Sequence, residues 1–189
     1  MTDFSTYAQR LATVLASADW SGVEQLADAV ERCWREGRTV FLCGNGGSAA
    51  NAAHLANDFL YGVAKRVGAG IKTHALSANA AVLTCLGNDI GYDKIFSHQV
   101  GVLAEQGDIL IVLSGSGNSA NIVEALQVAK TKGVTSYAIL GYGGGRAKAL
   151  ADVAIHFAID DMQISEDLQL TVGHMVMQRL YADNSKATS

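Results

Sequence analysis

The stretch Thr39–Ser48, TVFLCGNGGS, continued by AANAAH up to His54, decides the fold of this chain. Its first five residues are an unbroken apolar run, which is typical of a strand buried on both faces of a sheet. The glycines that follow indicate a turn, and the alanine-rich segment that continues through Phe59 favours a helix. This order predicts a strand, a glycine-rich turn and a helix whose N-terminus faces the turn.

The alternation of apolar runs and helical segments continues through the rest of the chain. Further strands are predicted for the runs KTHAL, DILIVL, TSYAIL and DVAIHFAI, which begin at Lys72, Asp108, Thr135 and Asp152. Helical patterns cover Ala80–Leu86, Ile95–Leu103, a segment ending near Gly133, and a long last helix from about Ser165 to Tyr181. Because apolar strands joined through helices form parallel sheets with both faces covered, the sequence predicts one doubly wound α/β domain.

Two helices are predicted ahead of the first strand, outside this alternation. In the first, apolar side chains recur at steps of three and four residues, at Phe4, Tyr7, Leu11 and Val14. The second opens with Ser21 and Glu24 in capping-box spacing, and Gly37 is placed to end it. The apolar faces of both helices need a partner, which is either another subunit or the domain itself.

Composition limits the classes of protein to which the chain can belong. Its 189 residues are 49% hydrophobic and 17% charged, which favours a single domain over 1–189, with leading helices over 1–37 and a polar tail over 184–189. The net charge of −4 and the lack of any Lys/Arg-rich run argue against nucleic acid as a partner. The sequence shows no secretion signal and no apolar run of membrane-spanning length. Its three cysteines are odd in number and widely spaced, which is typical of reduced thiols. We therefore expect a cytoplasmic protein without a membrane partner.

Two turns rich in serine and glycine follow predicted strands, over 44–48 and 114–119. Glycine lets a ligand approach the backbone, and a helix N-terminus offers free N–H groups to an anion. The serine hydroxyls add further donors for the oxygens of a phosphate. Since open α/β sheets bind ligands at the carboxyl ends of their strands, the pair of turns predicts a phosphate site.

A dinucleotide-binding protein is the main alternative, because the first turn fits a relaxed form of the glycine fingerprint. That fingerprint also requires an acidic residue after the next strand, where this chain has Ser77, Ala78 and Asn79. A lysine of the P-loop type is also missing after the glycines. The sequence therefore argues against a nicotinamide or flavin cofactor and against hydrolysis of nucleoside triphosphates.

Four segments together resemble the SIS-domain sedoheptulose 7-phosphate isomerases, also called phosphoheptose isomerases. They are GNGGSAANAAH from Gly44, GND from Gly87, SGSGNSANI from Ser114, and a late helix with a histidine. The resemblance covers nearly the whole chain. It implies a five-stranded parallel sheet, a homotetramer with active sites shared between subunits, and in several members a zinc ion. It also implies conversion of sedoheptulose 7-phosphate to D-glycero-D-manno-heptose 7-phosphate through an enediol.

The resemblance also assigns roles to residues by position. The metal ligands it implies are His54, Asp58, Glu166 and His174, of which Asp58 and His174 are also the catalytic acid–base pair. The substrate ligands it implies are Asn45, Gly46, Gly47, Ser48, Asp58, Asn88, Asp89, Ser114, Gly115, Ser116, Ser119 and Glu166. The spacing fits a zinc site, because residues four apart share a helix face and residues eight apart lie a little over two turns apart. Without the resemblance, His54 and Asp58 would be interpreted as a surface pair, and His174 as a core histidine whose hydrogen bonds are satisfied.

The chain departs from the family pattern at four positions. Aspartate replaces glutamate at Asp58, glutamate replaces glutamine at Glu166, and Gly115 stands where threonine is common. Gly62 stands where an arginine is usual, although Lys65 and Arg66 are near. These changes leave open an isomerase of a different phosphosugar in glycan or secondary-metabolite biosynthesis. A non-catalytic regulator is also open, because a paralogue associates with the bacterial replication initiator, but the presence of both His54 and His174 favours an enzyme.

Overall fold

A five-stranded parallel sheet lies at the centre of the structure, a computed structural model that describes residues 3–184. The strand order is β2-β1-β3-β4-β5, and the strands are β1 Thr39–Gly44, β2 Lys72–Ala75, β3 Ile109–Ser114, β4 Thr135–Leu140 and β5 Val153–His156. Every neighbouring pair of strands is parallel. The chain steps from β1 outwards to β2 and then returns to the other side of β1, so the strand order reverses between β1 and β3.

Helices cover both faces of the sheet. They are α1 Phe4–Ser17, α2 Ser21–Arg35, α3 Gly47–Asn57, α4 Val63–Val67, α5 Ala80–Asp89, α6 Ser97–Leu103, α7 Ala120–Lys132, α8 Gly145–Leu150 and α9 Met162–Asn184. A π-helical turn over Asp58–Gly62 joins α3 to α4, and a 3₁₀ turn over Tyr92–Lys94 follows α5. The predicted strands and doubly wound architecture are confirmed.

Alternate side chains of the central strands pack into two separate hydrophobic cores, one on each face of the sheet. Val40 and Leu42 of β1 pack with α2, α3 and α9, whereas Phe41 and Cys43 pack with the helices of the opposite face. Helices α3 and α7, which follow the neighbouring strands β1 and β3, therefore lie on opposite faces. This arrangement opens a crevice at the carboxyl ends of β1 and β3, the usual ligand site of such sheets.

The two leading helices differ in how far they are buried. Helix α2 buries six residues, including Leu26 and Val30, against its own domain. Helix α1 buries none, and Phe4 is 94% exposed. Its inner face packs Tyr7, Leu11, Val14 and Leu15, all partly buried, against the domain core, and the Tyr7 hydroxyl donates to Asp167 of α9 at 2.6 Å. Packing on the domain accounts for α2, and the exposed face of α1 remains open to a partner.

Three details of the helix ends differ from the predictions. The capping box of Ser21 and Glu24 is not formed, because Asp19 accepts the Ser21 N–H at 2.9 Å and the Glu24 N–H bonds to a backbone carbonyl. Helix α9 begins at Met162, ahead of Ser165, because Asp161 caps it by accepting the Ile164 N–H. Asn184, predicted to open the polar tail, still belongs to α9, and the rest of that tail lies outside the described residues.

Two further observations concern the cysteines and the hydrophobicity of the helices. Cys33 and Cys43 are buried and Cys85 is exposed, and within residues 3–184 all three are free thiols. Burial raises the pKa of Cys33 to about 12, so this thiol stays protonated at neutral pH. Over the same residues, no helix combines the length and hydrophobicity that crossing a membrane requires.

Candidate active site

The two serine–glycine turns meet at the crevice between β1 and β3 and form a cavity of about 290 Å³. It is lined by Asn45, Gly46, Gly47, Ser48, Ser114, Gly115, Ser116, Ser119, Met162 and Glu166. Nine of these ten residues belong to the substrate set implied by the resemblance, and Met162 is the addition. The structure thus brings both turns and the start of α9 to one place.

The backbone of this cavity is built to approach an anion. Helix α3 begins at Gly47 and helix α7 at Ala120, so two helix N-termini open at the crevice. Gly46 has a φ of 55°, in the left-handed region that glycine adopts without strain. A Cβ at Gly44 would lie within 2.8 Å of Ser48, so glycine is needed there for the tight turn.

Three serine hydroxyls of the cavity accept hydrogen bonds from the protein. Gln169 donates to Ser48 Oγ at 3.0 Å, and the Gly117 N–H donates to Ser114 Oγ at 3.0 Å. Ser116 Oγ accepts the N–H of Asn118 at 3.3 Å. These bonds use an oxygen lone pair and leave the hydroxyl hydrogen to donate. The serines are therefore oriented as donors, which suits the oxygens of a phosphate.

An amide pair connects the two turns and was missed at the level of sequence. Asn45 of the first turn and Asn121 of α7 each donate to the other at 2.9 Å, and the Tyr92 hydroxyl also donates to Asn45 at 3.0 Å. Asn121 is only 2% exposed. Its one signal in the sequence is its place in SGNSANI, where a polar residue stands on the inner face of a helix. The Asn45 side chain is thus engaged with the protein rather than directed into the cavity.

Two departures from the family pattern change the wall of the cavity. At Gly115, a Cβ would lie 2.7 Å from the Met162 sulfur, so a thioether occupies the space where a threonine side chain would stand. At Gly47, a Cβ would overlap the Glu166 carboxylate, so this carboxylate lies against the N-terminus of α3. The chain therefore places one apolar group and one negative charge beside its phosphate cradle.

A second cluster lies farther along α3 and α9. His54 Nε2 and His174 Nε2 are 3.2 Å apart, and Asp58 Oδ2 lies 3.2 Å from the first and 3.4 Å from the second. The histidines are half exposed, whereas the Asp58 side chain is 18% exposed. Among the described residues, these three form the group of His, Cys, Asp and Glu side chains that lie close enough together to hold a metal ion.

The geometry of the cluster fits zinc. Tetrahedral zinc with bonds of about 2.0–2.1 Å holds its ligand atoms roughly 3.3 Å apart, close to the three observed separations. Two imidazoles and one carboxylate are also a donor set that zinc takes in catalytic sites, where a fourth position remains for substrate or water. The residues therefore fit the metal that the resemblance implies.

Glu166, the fourth expected ligand, lies outside the cluster. Eight residues along a helix correspond to about 12 Å of rise and to a rotation of roughly 80°, so Glu166 and His174 leave α9 at different heights and in different directions. In the structure, Glu166 instead lines the serine–glycine cavity, with its carboxylate beside Gly47. Glu166 as a fourth metal ligand therefore stays a prediction, since among the described residues of a single chain the structure groups only His54, Asp58 and His174.

Asn88 and Asp89 are also apart from both sites. They end the exposed helix α5, where Asn88 donates to Asp89 Oδ1 at 2.8 Å. The Cys85 thiol bonds to the other carboxylate oxygen, and the Asn88 bond and this one lower the pKa of Asp89. Neither residue lines the serine–glycine cavity of its own chain.

The cavity and the cluster are separated along the helices that carry them. Helices α3 and α9 run in the same direction, because Asn51 bonds to Gln169 near their starts and Leu55 packs against Gly173 farther on. Between Gly47 and Asp58 the helix rises by about 16 Å at 1.5 Å per residue. The phosphate cradle and the histidine cluster are thus two distinct sites in one chain.

Comparisons with known proteins give consistent results. The family model described as the SIS domain matches residues 3–141. A phosphoheptose isomerase of Rhodospirillum rubrum is 39% identical over 154 residues, which cover 82% of this chain and 81% of that protein. The structure of phosphoheptose isomerase GmhA from Neisseria gonorrhoeae is similar with a TM-score of 0.84 and 28% identity, over 94% of this chain and 96% of that one. A phosphoheptose isomerase from Francisella tularensis gives 0.86 and 26%, over 96% and 100%.

Proposed function

The chain belongs to the SIS domain family and, within it, to the phosphoheptose isomerases, and we propose that it interconverts sedoheptulose 7-phosphate and D-glycero-D-manno-heptose 7-phosphate. The observation that carries the proposal is the presence of a hydroxyl-lined anion cavity together with a carboxylate held between two histidines. The first supplies binding for a phosphate, and the second supplies the acid–base groups that an aldose–ketose isomerisation needs. We also propose that the enzyme acts in the cytoplasm, a location that suits a phosphorylated sugar as substrate.

The cavity anchors the phosphate. Ser48, Ser114 and Ser116 donate their hydroxyl hydrogens, and the N-termini of α3 and α7 add backbone N–H groups and positive potential. The Glu166 carboxylate opposes this potential, so the cradle binds a phosphate less tightly than its donors alone would allow. The phosphate fixes one end of the sugar and so determines which carbons reach the acid–base groups.

Asp58 and His174 carry the proton transfers. One of them removes the proton α to the carbonyl, and the other moves a proton between the two oxygens of the enediol. Asp58 uses Oδ2 towards the histidines, and its other oxygen, Oδ1, accepts only a long bond of 3.5 Å from Asn57, so Oδ1 is the atom that would act on the sugar. Zinc, held by His54, Asp58 and His174, would supply a Lewis acid for the carbonyl oxygen.

The distance between cavity and cluster supports a site built from more than one subunit. From the phosphorus to C1 a heptose 7-phosphate spans roughly 10 Å, taking eight bonds at about 1.2 Å each in an extended chain. This is shorter than the rise of about 16 Å between the backbones of Gly47 and Asp58, which is an upper limit on the gap because helix side chains lean towards the N-terminus. The cluster that acts on a sugar would then come from a neighbouring subunit of a homotetramer. Asn88 and Asp89, exposed on their own chain, would be free to reach a neighbour's cavity in the same assembly.

Proton NMR with sedoheptulose 7-phosphate in deuterated water tests the proposal. Aldose signals with deuterium at the carbon next to the carbonyl are expected, because the abstracted proton exchanges with solvent at the acid–base group. Asp58→Asn should lower turnover by about 10²–10⁴-fold, whereas the exposed Asp160→Asn is the matched control. An unchanged sugar spectrum with zinc supplied would reject this substrate.

The second candidate function is isomerisation of a different phosphosugar, and the composition of the cavity wall supports it. Met162 fills the space beside Gly115, and Glu166 adds a charge, so the cradle is not that of the usual family member. The same NMR experiment with other ketose phosphates distinguishes the two. A protein that binds a sugar phosphate tightly but turns none over would instead support the non-catalytic regulator.

A further inference from the structure

A second, larger cavity lies on the far side of Asp58 from the serine–glycine turns. Its volume is about 500 Å³, and it is lined by Asp58, Gly62, Lys65, Arg66, Met177, Gln178 and Tyr181. The walls come from the π-helical turn, from α4 and from the C-terminal half of α9. It therefore continues the groove between α3 and α9 beyond the histidine cluster.

The cavity exists because position 62 has no side chain. A Cβ at Gly62 would lie 3.0 Å from Met177 Cε and 3.7 Å from both Asp58 Oδ1 and the Tyr181 hydroxyl. A longer side chain would project into the space that these groups enclose. The φ of Gly62 is −59°, so the backbone itself does not demand glycine. The absence of a side chain is thus what leaves room for a ligand.

The lining of this cavity is rich in donors. Lys65 and Arg66 bring two positive charges, and Gln178 and Tyr181 bring an amide and a hydroxyl. Asp58 is the one acidic side chain among the described lining residues, and its Oδ2 is already directed to the two histidines. The cavity therefore has an excess of positive charge and of hydrogen-bond donors.

Two of these donors are held in place by each other. The Arg66 guanidinium lies 6.0 Å from the centroid of the Tyr181 ring, within the range of a cation–π contact. Burial, and after it the Asp58 carboxylate, raises the pKa of Tyr181, so its hydroxyl keeps its proton at neutral pH. Arginine binds phosphate oxygens in a bidentate manner, and lysine adds a point charge.

We propose that this cavity is a second oxyanion site that binds a phosphate group next to the histidine cluster. Gly62 is fifteen residues after Gly47, about 22 Å along the helix, which is more than one heptose phosphate spans. The phosphate in this site therefore belongs to a different molecule from the one in the cradle of the same chain. The proposal concerns binding alone and holds whether or not the chain isomerises a heptose.

Calorimetric titration of the full chain with inorganic phosphate tests the proposal. Ser116→Ala with Ser119→Ala weakens the first cavity, and this double variant should still bind one phosphate. Lys65→Gln with Arg66→Gln should weaken the second site at least about tenfold, because both charges are removed. Arg32→Gln with Lys130→Gln is the control, since it removes the same charge from exposed positions outside both cavities.

A further variant tests whether phosphate binding needs the space in the cavity as well as its positive charge. Gly62→Met keeps both cations but fills the space, and its main contact is the flexible end of Met177, which can move aside. It should weaken phosphate binding at the second site as much as the charge variant does. Unchanged phosphate stoichiometry and affinity in both the Lys65/Arg66 and the Gly62 variants would overturn the proposal. So would complete loss of binding in the Ser116/Ser119 variant.

Discussion

Asn45 and Asn121 form a reciprocal amide pair across the crevice, each donating to the other's carbonyl oxygen at 2.9 Å. The pair joins a residue of the first serine–glycine turn to the helix that follows the second. Since both carboxamides are satisfied by each other and by Tyr92, the separation of the two turns is set by hydrogen bonds of fixed geometry. The phosphate cradle is therefore rigid before any ligand enters it.

Replacing Asn121 by alanine should loosen this cradle. Asn45 would lose both bonds to its partner, and the free energy of unfolding should fall by about 1–3 kcal/mol. The KM for the sugar phosphate should rise about tenfold, the equivalent of about 1.4 kcal/mol, with a smaller change in kcat. Steady-state kinetics and urea unfolding measure both effects. Tyr92→Phe removes a single bond and should give a smaller change in KM; an unaltered KM in Asn121→Ala would contradict the positioning role.

Replacing Glu166 by glutamine should strengthen phosphate binding. The carboxylate lies against the N-terminus of α3, where it competes with a phosphate for the same positive potential. Its removal should lower KM about fivefold or more, since two like charges about 4 Å apart repel by about 1 kcal/mol even in bulk water. Asp167→Asn is the matched control, because it removes the same charge one residue away, where the side chain bonds to Tyr7 outside the cavity. Weaker binding in Glu166→Gln would show that the carboxylate contacts the substrate favourably.

Zinc binding should depend on the histidine cluster and not on Glu166. His174→Ala removes one of three ligands and should lower zinc affinity by about 100-fold or more, a larger loss than supporting residues cause. Competition with a chromogenic chelator measures this affinity without any enzyme assay. His98→Ala, which changes an exposed histidine of α6, should bind zinc as the wild type does. Equal loss of affinity in Glu166→Gln would place that residue back among the ligands.

Mixing two inactive variants should restore activity if active sites are shared. Ser116→Ala weakens the phosphate cradle, and Asp58→Asn removes the acid–base group, so each variant alone should turn over little. In mixed assemblies an intact cradle of one chain can meet an intact cluster of the other. Recovery after joint refolding is the expected result. Mixtures no more active than their components would mean that one chain supplies both parts.

Asp161 should stabilise the fold in a manner that depends on pH. The Ile164 N–H at the start of α9, and after it the Arg10 guanidinium, lower the pKa of this carboxyl below its ordinary 3.8. Its contribution is thus fully present above that value and is lost as the pH falls through the folded pKa. Asp161→Ala should cost about 1 kcal/mol at pH 7, and the difference from wild type should shrink towards pH 2. A difference that is constant over this range would show that the charge is not involved.

The sequence was sufficient for the sheet, because Ile109–Leu113 are apolar at every position, as is typical of a strand buried on both faces. It was sufficient for the cradle as well, since glycine and serine act through local geometry. It failed where contacts join distant segments, as between Asn121 and Asn45. It did not place the Glu166 carboxylate beside Gly47, because a spacing of eight residues fixes only the rise and rotation along α9 and not which neighbouring helix the side chain meets. The π-helical turn at Asp58 has no periodic signal at all.

The separation of about 16 Å between Gly47 and Asp58 has a consequence for the living cell. On the shared-site proposal, a single folded chain carries every reacting group and yet completes no turnover. Folding and catalysis then respond differently to dilution: circular dichroism would be unchanged while specific activity declines. The amount of enzyme that a cell makes would set not only how many sites exist, but what fraction of the chains works at all.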